Sequence, residues 1–395
     1  VLSVKILHVI PSISPLRGGP STAVLEMVAA LRGCDVDAAI LTTNDHGPGL
    51  DHTLPLGRWC ERSGVPVLAF PRWSPPLAPL REYAISPALN RWLGSHIRQF
   101  DLLHVHALFS WPSSTAMLQA RRAAVPFVLS TIGQLNHWSL ARHAWRKRLM
   151  LALLDRRNLA GAAALHFASE AERLEAADIH CPAPALVLPL GVHLPAPAPL
   201  PPHRPPDAPT HFLFLSRIHP KKQLNVLLEA LALLQQRLPQ AAWRLTIAGN
   251  ADPSYLRSLQ ALTRHLHIDH RCSWPGFVEG NAKWDMLRSA DWFVLPSASE
   301  NFGIAAIEAL AAGTPPILSR QVAVAEDIAA AGAGVLAPSD PHGLASLLCR
   351  VLEPPTPAMR CAARALAEQQ YSWSVIGARL RQGYAAILDR KPSCL

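Results

Sequence analysis

The sequence predicts an α/β protein built from two doubly wound, Rossmann-like halves joined by a linker. Short apolar runs alternate with helical patterns in both halves, and a Pro-rich passage interrupts that alternation near the middle. A chain of 395 residues that is 50% hydrophobic can also fill two or three cores. The expected boundaries are 1–190 for an N-terminal domain, 191–209 for the linker, 210–370 for a C-terminal domain and 371–395 for a closing helix.

In the first half VKILHVI reads as the opening strand, followed by a loop with Gly18-Gly19 and a helix from about Ser21. DAAILTT, PVLAF, LLHVHA, FVLST and ALHFAS are further short apolar runs, with helical patterns between several of them. Parallel strands covered on both faces have this signature. The passage CPAPALVLPLGVHLPAPAPLPPHRPPDAPT can supply neither ladder donors nor a continuous helix, so its latter part reads as the linker. A second alternation follows: THFLFLSRI strand, NVLLEALALLQQRL helix, WRLTIAG strand, YLRSLQALTRHL helix. CSWPGFV, DWFVLPS and PPILS add strands, and SVIGARLRQGYAAIL closes as an amphipathic helix.

Composition narrows the function classes. Mean hydropathy is slightly positive, yet no stretch of about 18 apolar residues is free of charge or Pro, which argues against a membrane span. The opening VLSVKILHVIPS reads as a core strand and lacks the form of a secretory signal. Seven scattered cysteines, without C-x-x-C or a Cys/His pair at metal spacing, point to a reducing cytoplasm. A net charge of +9 asks for an anionic partner. The basic residues are not interleaved with aromatics and no nucleic-acid motif is present, so nucleic acid is not expected. The densest cluster, Arg142, Arg146, Lys147, Arg148, Arg156 and Arg157, is threaded by Leu140, Ala144, Leu149, Leu153 and Ala160 near helical spacing. It reads either as an amphipathic helix for an anionic membrane surface or as the solvated face of a core-packed helix.

Ligands of such folds sit beyond the carboxyl ends of the strands, which directs attention to strand-to-helix loops. The first loop, PSISPLRGGPST, is not G-x-G-x-x-G, against a dinucleotide dehydrogenase. Gly18 and Gly19 either let backbone amides approach a phosphate or serve a turn. His104 and His106, two apart at a strand end, point the same way. His104 reads as a satisfied core residue and His106 as a contact for a substrate hydroxyl. In LFLSRIHPKKQLNVLLEA, Arg217 follows a buried strand, and Lys221 and Lys222 precede a helix whose dipole they oppose. An anion such as a diphosphate would explain that placement.

In SASENFGIAAIEALAAGT a helix is expected to begin near Gly303, its free amides forming an anion site, with Glu300 in the turn. Glu308 is the one charge in the apolar helix, and a buried carboxylate needs donors. A buried Arg, backbone amides or the vicinal hydroxyls of a ribose would each serve. The D-x-D at Asp35-Val36-Asp37 lies far from these motifs, and no metal site is expected.

Arg217 and Lys222 at R-x4-K spacing, with Glu300 and Glu308 as E-x7-E, closely resemble the retaining GT-B glycosyltransferases of group 1 (family 4). The similarity runs nearly end to end. It includes the Gly18-Gly19 loop, the HVH segment, TIGQLNHWSLARHAWRKRL, Ala168 to Glu170, Ile247 to Gly249 and Pro275 to Val278. The resemblance implies two domains facing across a cleft, the first for the acceptor and the second for a nucleotide sugar, with the last helix returning to the first.

It also implies metal-independent transfer of a sugar, with retention, from a nucleotide diphosphate sugar to a glycan or lipid-linked acceptor. Cell-surface polysaccharide synthesis in the cytoplasm, or peripherally at the inner face of the plasma membrane, is the implied setting, and no cofactor is needed beyond the co-substrate. By the same implication Glu308 binds ribose, and Arg217 and Lys222 neutralise the leaving diphosphate. Glu300, with the amides around Asn301, Phe302, Gly303 and Ile304, holds the donor sugar or its phosphates. Gly249 and Val278 line the base pocket, Gly18 and Gly19 close on the diphosphate, and His106 orients donor sugar or acceptor.

The chain departs from the family pattern at three places. Gln223 stands where a glycine is common, Pro189-Leu190-Gly191-Val192-His193 replaces P-N-G-V-D, and Thr131-Ile132-Gly133 lacks an aligned histidine. The last bears on the acceptor side. A nucleotide-sugar epimerase of the same fold and a non-catalytic nucleotide-sugar-binding protein remain alternatives.

Overall fold

The structure, a computed structural model, describes residues 4–135, 156–196 and 208–389. Arg142, Arg146, Lys147 and Arg148 lie outside the described residues, as does 197–207 of the expected linker. The chain divides into two compact units: Val1–Gly191 with Trp373–Leu395, and Val192–Ser372.

The strands of unit one are β1 (Lys5–Val9), β2 (Asp37–Thr43), β3 (Asp45–His46), β4 (Gly49–Leu50), β5 (Trp59–Arg62), β6 (Val65–Phe70), β7 (Leu102–His106), β8 (Phe127–Ser130), β9 (Ala164–Phe167) and β10 (Ala185–Val187). Eight of them form one sheet in the order β10-β9-β8-β7-β1-β2-β6-β5. Every neighbouring pair is parallel except β5 on β6. The central strands are buried on both faces, which is why they read as unbroken apolar runs.

On one face Val24, Met27 and Leu31 of the helix Gly19–Arg32 share a core with Ile376, Leu380 and Tyr384 of the helix Trp373–Leu388. Each such side chain contributes about 1.5–3 kcal/mol by leaving water. A Cβ on Gly377 would lie 2.9 Å from the Ala30 carbonyl oxygen, so a larger residue there would force these helices apart. The Leu89, Leu93 and Met117 side chains pack in the core of the other face.

Unit two holds β11 (Thr210–Leu215), β12 (Trp243–Ala248), β13 (Cys272–Gly276), β14 (Trp292–Leu295), β15 (Pro316–Ser319) and β16 (Val335–Ala337). They form an all-parallel sheet ordered β13-β12-β11-β14-β15-β16. The strand order thus reverses between β11 and β14 in unit two and between β1 and β7 in unit one. At such a switch point the two outgoing loops diverge and leave a crevice.

Local details differ from the sequence expectation for identifiable reasons. The first helix starts at Gly19 and not near Ser21, because Gly18 takes φ +95 after a 3-10 turn at Pro15–Arg17 and Pro20 fits the first helical turn. The edge strand β5 and the β3–β4 hairpin carried too little apolar pattern to be anticipated.

Candidate active site

In unit two the loop leaving β11 and the turn leaving β14 meet at the switch point. The Ala298 amide donates to the Lys221 carbonyl at 2.9 Å, and the Lys222 ammonium contacts the Glu300 carboxylate. Only 14% and 21% of those two side chains is exposed. Burial first, then the charges of Lys221 and Arg217, push the Lys222 ammonium down to about 8. Arg217 is exposed beside it. A charged lysine held among two other cations and short of water is poised to gain from an anion.

The backbone of this loop is fitted closely. Gly249 donates to the Gly276 carbonyl at 2.8 Å, and a Cβ on it would stand 1.9 Å from the Ser216 carbonyl oxygen, so only glycine fits. Gln223, where the family commonly has glycine, takes φ +50, a left-handed conformation that costs a non-glycine residue about 1–2 kcal/mol. Its Oε1 and the buried Ser297 Oγ have no hydrogen-bond partner among the described residues.

Gly303 caps the helix Ile304–Ala311 at φ +92, and the Glu300 amide is fixed to the Gln321 carbonyl at 2.9 Å. The first amides of that helix have no partner within it. The Asn301 and Ile304 side chains are half-buried. Phe302 is buried against Tyr371, ring centroids 6.0 Å apart, so its backbone and not its ring is available to a ligand. Val278, half-buried, follows β13.

Glu308 is also half-buried, and its Oε1 accepts from Lys283 Nζ at 2.7 Å. The donor that the lone carboxylate required is thus a lysine on the neighbouring helix Gly280–Ser289. Sequence reasoning missed it, because Lys283 sits in a polar segment with no spacing that ties it to Glu308. Unit two also has a cavity of ≈570 Å³ beside the starts of β12 and β13, at Trp243 and Cys272, away from Arg217, Lys222 and Glu300.

In unit one His8 on β1 is the register partner of His104 on β7. His106 is as buried as these two, stacked on His104 with centroids 4.2 Å apart. His8 Nδ1 and His106 Nε2 share a proton across 3.0 Å, His104 Nδ1 meets the Tyr384 hydroxyl at 2.7 Å, and His166 Nδ1 lies 3.3 Å from His104 Nε2. Ring nitrogens of His8, His104 and His106 fall within 4.8 Å of one another. Two nitrogens on one tetrahedral zinc stand about 3.3 Å apart, so the 3.0 Å contact fits a hydrogen bond better than shared ligation. Burial, with neighbouring imidazoles adding to it, drives His8 down to about 3 and His104 and His106 well below the usual histidine range.

Gly18 and Gly19 have open space where a Cβ would stand. Their loop is tied down by Arg17, whose Nε and Nη2 both reach Asp45 at 2.7 Å. Glu172, buried, accepts from the Thr131 hydroxyl at 2.6 Å and the Ala168 amide at 2.7 Å, and so fixes the Thr131-Ile132-Gly133 loop. Asp45 and Glu172 escaped sequence reasoning. For Asp45 a signal existed, a carboxylate just past the end of a buried strand.

Residues 200–368 match the family described as glycosyl transferases group 1, and residues 18–191 match the glycosyl transferase 4-like domain. The chain is 30% identical to the D-inositol 3-phosphate glycosyltransferase of Kineococcus radiotolerans, over 74% of this chain and 73% of that protein. It is 29% identical to the phosphatidyl-myo-inositol mannosyltransferase of Mycolicibacterium smegmatis, over 97% of this chain and 94% of that protein. Matches at 37% and 33% identity to two other D-inositol 3-phosphate glycosyltransferases, from Catenulispora acidiphila and Pseudarthrobacter chlorophenolicus, cover 38% and 46% of this chain but span only 36% and 43% of those relatives' length. Among solved structures, Anabaena HepE in complex with UDP and glucose superposes with a TM-score of 0.70 at 20% identity, covering 97% of this chain and all of that one. That likeness supports the GT-B fold of two Rossmann-like units.

The histidine cluster makes unit one sensitive to acid. The folded value for His8, about 3, lies below the unfolded 6.5, so the unfolded chain takes up a proton that the fold refuses. The stability contributed is complete above pH 6.5 and is lost as pH falls toward 3. His8 alone is expected to cost unit one about 2 kcal/mol at pH 5. Calorimetric unfolding between pH 7.5 and 5 reads this as a falling midpoint; a midpoint flat across that range contradicts neutral burial.

Proposed function

The chain belongs to the group 1 glycosyltransferases, and on that premise we propose that it moves a sugar from a nucleotide diphosphate sugar to a glycan or lipid-linked acceptor with retention at the anomeric carbon. The observation that carries this reading is the contact of Lys222 with Glu300 at the β11/β14 switch point, beside exposed Arg217 and the start of the helix Ile304–Ala311. The leaving nucleotide diphosphate gains negative charge as the glycosidic bond to phosphate breaks. Arg217 and Lys222 offset that charge in a partly dry site, where preorganised cations act most strongly.

Glu300 holds Lys222 until the anion arrives and then turns to the donor sugar, with the amides around Asn301 to Ile304 on the phosphates. Glu308 takes the ribose hydroxyls, and Lys283 keeps its carboxylate charged and oriented meanwhile. Gly249 and Val278 border the base, and Gly18-Gly19 close on the diphosphate. His106 acts through the buried histidine pair as a support for the donor sugar or acceptor loop. Attack on the same face as departure, with a phosphate oxygen taking the acceptor proton, gives retention without a carboxylate nucleophile. The UDP complex of HepE supports a nucleotide donor. Cell-surface glycan or glycolipid synthesis fits a chain similar to a D-inositol 3-phosphate glycosyltransferase and a phosphatidyl-myo-inositol mannosyltransferase.

Lys222→Ala and Glu300→Ala should each lower transfer by about 10²–10³-fold while the unfolding midpoint holds; near-normal turnover in both would remove these roles. Glu308→Gln should weaken UDP binding by about tenfold. Unchanged affinity with a large stability loss would make the Glu308–Lys283 pair purely structural.

We further place peripheral membrane attachment on the Arg142 to Arg157 segment, of which only Arg156 and Arg157 are described. No helix among the described residues is long and apolar enough to cross a membrane. Co-sedimentation with phosphatidylglycerol vesicles should weaken as salt rises; no binding even at low salt contradicts it.

A further inference from the structure

We propose that the cavity at the starts of β12 and β13 is a second ligand site of unit two, one that takes a phosphate monoester carried on a compact ring. The cavity, ≈570 Å³, falls within the ~300–1,000 Å³ of small-molecule sites. Residues 239–246 and 270–273 line it, together with Pro209. The six residues of β12, about 20 Å of strand, separate it from Gly249 and the loops of Lys222 and Glu300. A ligand here therefore leaves the candidate active site of unit two free.

The charges of its lining carry the argument. Arg244 and Arg271 line the cavity, and among the described residues no carboxylate does. Neither guanidinium forms an ion pair among those residues. Arg271 is half-buried, and its Nη1 donates to the Ala241 and Trp243 carbonyls at 2.9 and 3.3 Å. Its Cζ lies 5.1 Å from the centroid of the Trp243 ring. These neighbours fix the guanidinium in place, but carbonyls and a ring face offset only part of its charge. Arg244 is exposed and makes one bond, from Nη2 to His211 Nδ1 at 3.1 Å, which leaves its Nε and Nη1 for a ligand.

Two carboxylates stand nearby without cancelling these charges. Asp291 accepts from the His211 amide at 2.8 Å, and it is already paired with Arg360. Asp269 is exposed outside the lining, where it acts on Cys272. Burial first, and then Asp269, push the Cys272 thiol up to about 12, so the thiol adds no negative charge. Even with Asp269 counted against them, the two guanidiniums leave the cavity cationic.

The form of the anion follows from the donors. Gln240 and His270 add side-chain N–H groups to those of the two arginines. A phosphate monoester carries a charge of about −1.5 to −2 near neutral pH and three acceptor oxygens. It can therefore take bonds from both guanidiniums at once, whereas a carboxylate offsets only one charge and an alcohol none. Pro209 and Pro239, exposed on the lining, offer an apolar wall for the ring that carries the phosphate.

The test is calorimetric titration of the full chain with phenyl phosphate, and with phenol as its uncharged match. Phenyl phosphate should bind at least about tenfold tighter than phenol. Arg244→Glu should weaken it by about tenfold or more, and His270→Ala, a milder change at an exposed position, by about threefold. Lys222→Met, which removes the ammonium of the donor loop, should leave it unchanged. Affinity retained in both cavity variants overturns the proposal, as does its loss in Lys222→Met, since the anion would then sit at the donor loops. Binding no tighter than that of phenol overturns it as well. Phosphatidic acid vesicles offer the same monoester in a bilayer. Their competition with phenyl phosphate assigns the site to a lipid headgroup, and lack of competition assigns it to a soluble ester.

Discussion

The reversal of strand order between β11 and β14 is the constraint on which the candidate site of unit two depends. Adjacent parallel strands whose connections run to opposite faces send their outgoing loops apart, and the crevice between them is the one place where backbone and side chains from both loops converge. The Lys221 carbonyl and the Ala298 amide close the base of that crevice, and Lys222 and Glu300 meet within it. The surrounding fit is exacting: Gly249 lies under Ser216, and Gln223 is held at positive φ. Gln223 Oε1 and Ser297 Oγ, in the same two loops, have no hydrogen-bond partner among the described residues.

Unit one obeys the same constraint with different chemistry. Its switch point joins β1 to β7, and the side chains beneath it are neutral histidines where unit two has cations. Tyr384 from the last helix bonds His104, so the end of the chain buttresses the first sheet at its centre. In the loops beyond that sheet Arg17 and Arg72 both pair with Asp45.

The fold was legible because the signals were long and redundant. β1, β7 and β11 are unbroken apolar runs, and the helix patterns between strands admit few other topologies. Within the site the sequence identified Lys222 and Glu300, which the structure brings together, and posed the right question of Glu308. It could not supply the answer, Lys283, because the approach of two helices is a tertiary fact without a sequence period. His104 and His106 were separated by role on position alone, yet both are buried, since β7 is covered along its whole length. Asp45 and Glu172 were passed over because single carboxylates at strand or helix ends are common, and only burial distinguishes these two.

Lys222, paired with Glu300 and crowded by the charges of Lys221 and Arg217, gains from an anionic ligand in the role proposed for it. Burial and those cations hold its folded value at about 8, below the unfolded 10.5, so the fold gains stability as pH rises between them, and a further anion favours the charged form. Calorimetry of UDP binding at pH 8, in buffers of different ionisation enthalpy, measures this directly. Net uptake of about half a proton per UDP bound is predicted for the native chain, falling to near zero in Lys222→Met. Binding without proton uptake, or uptake unchanged in the variant, would contradict it.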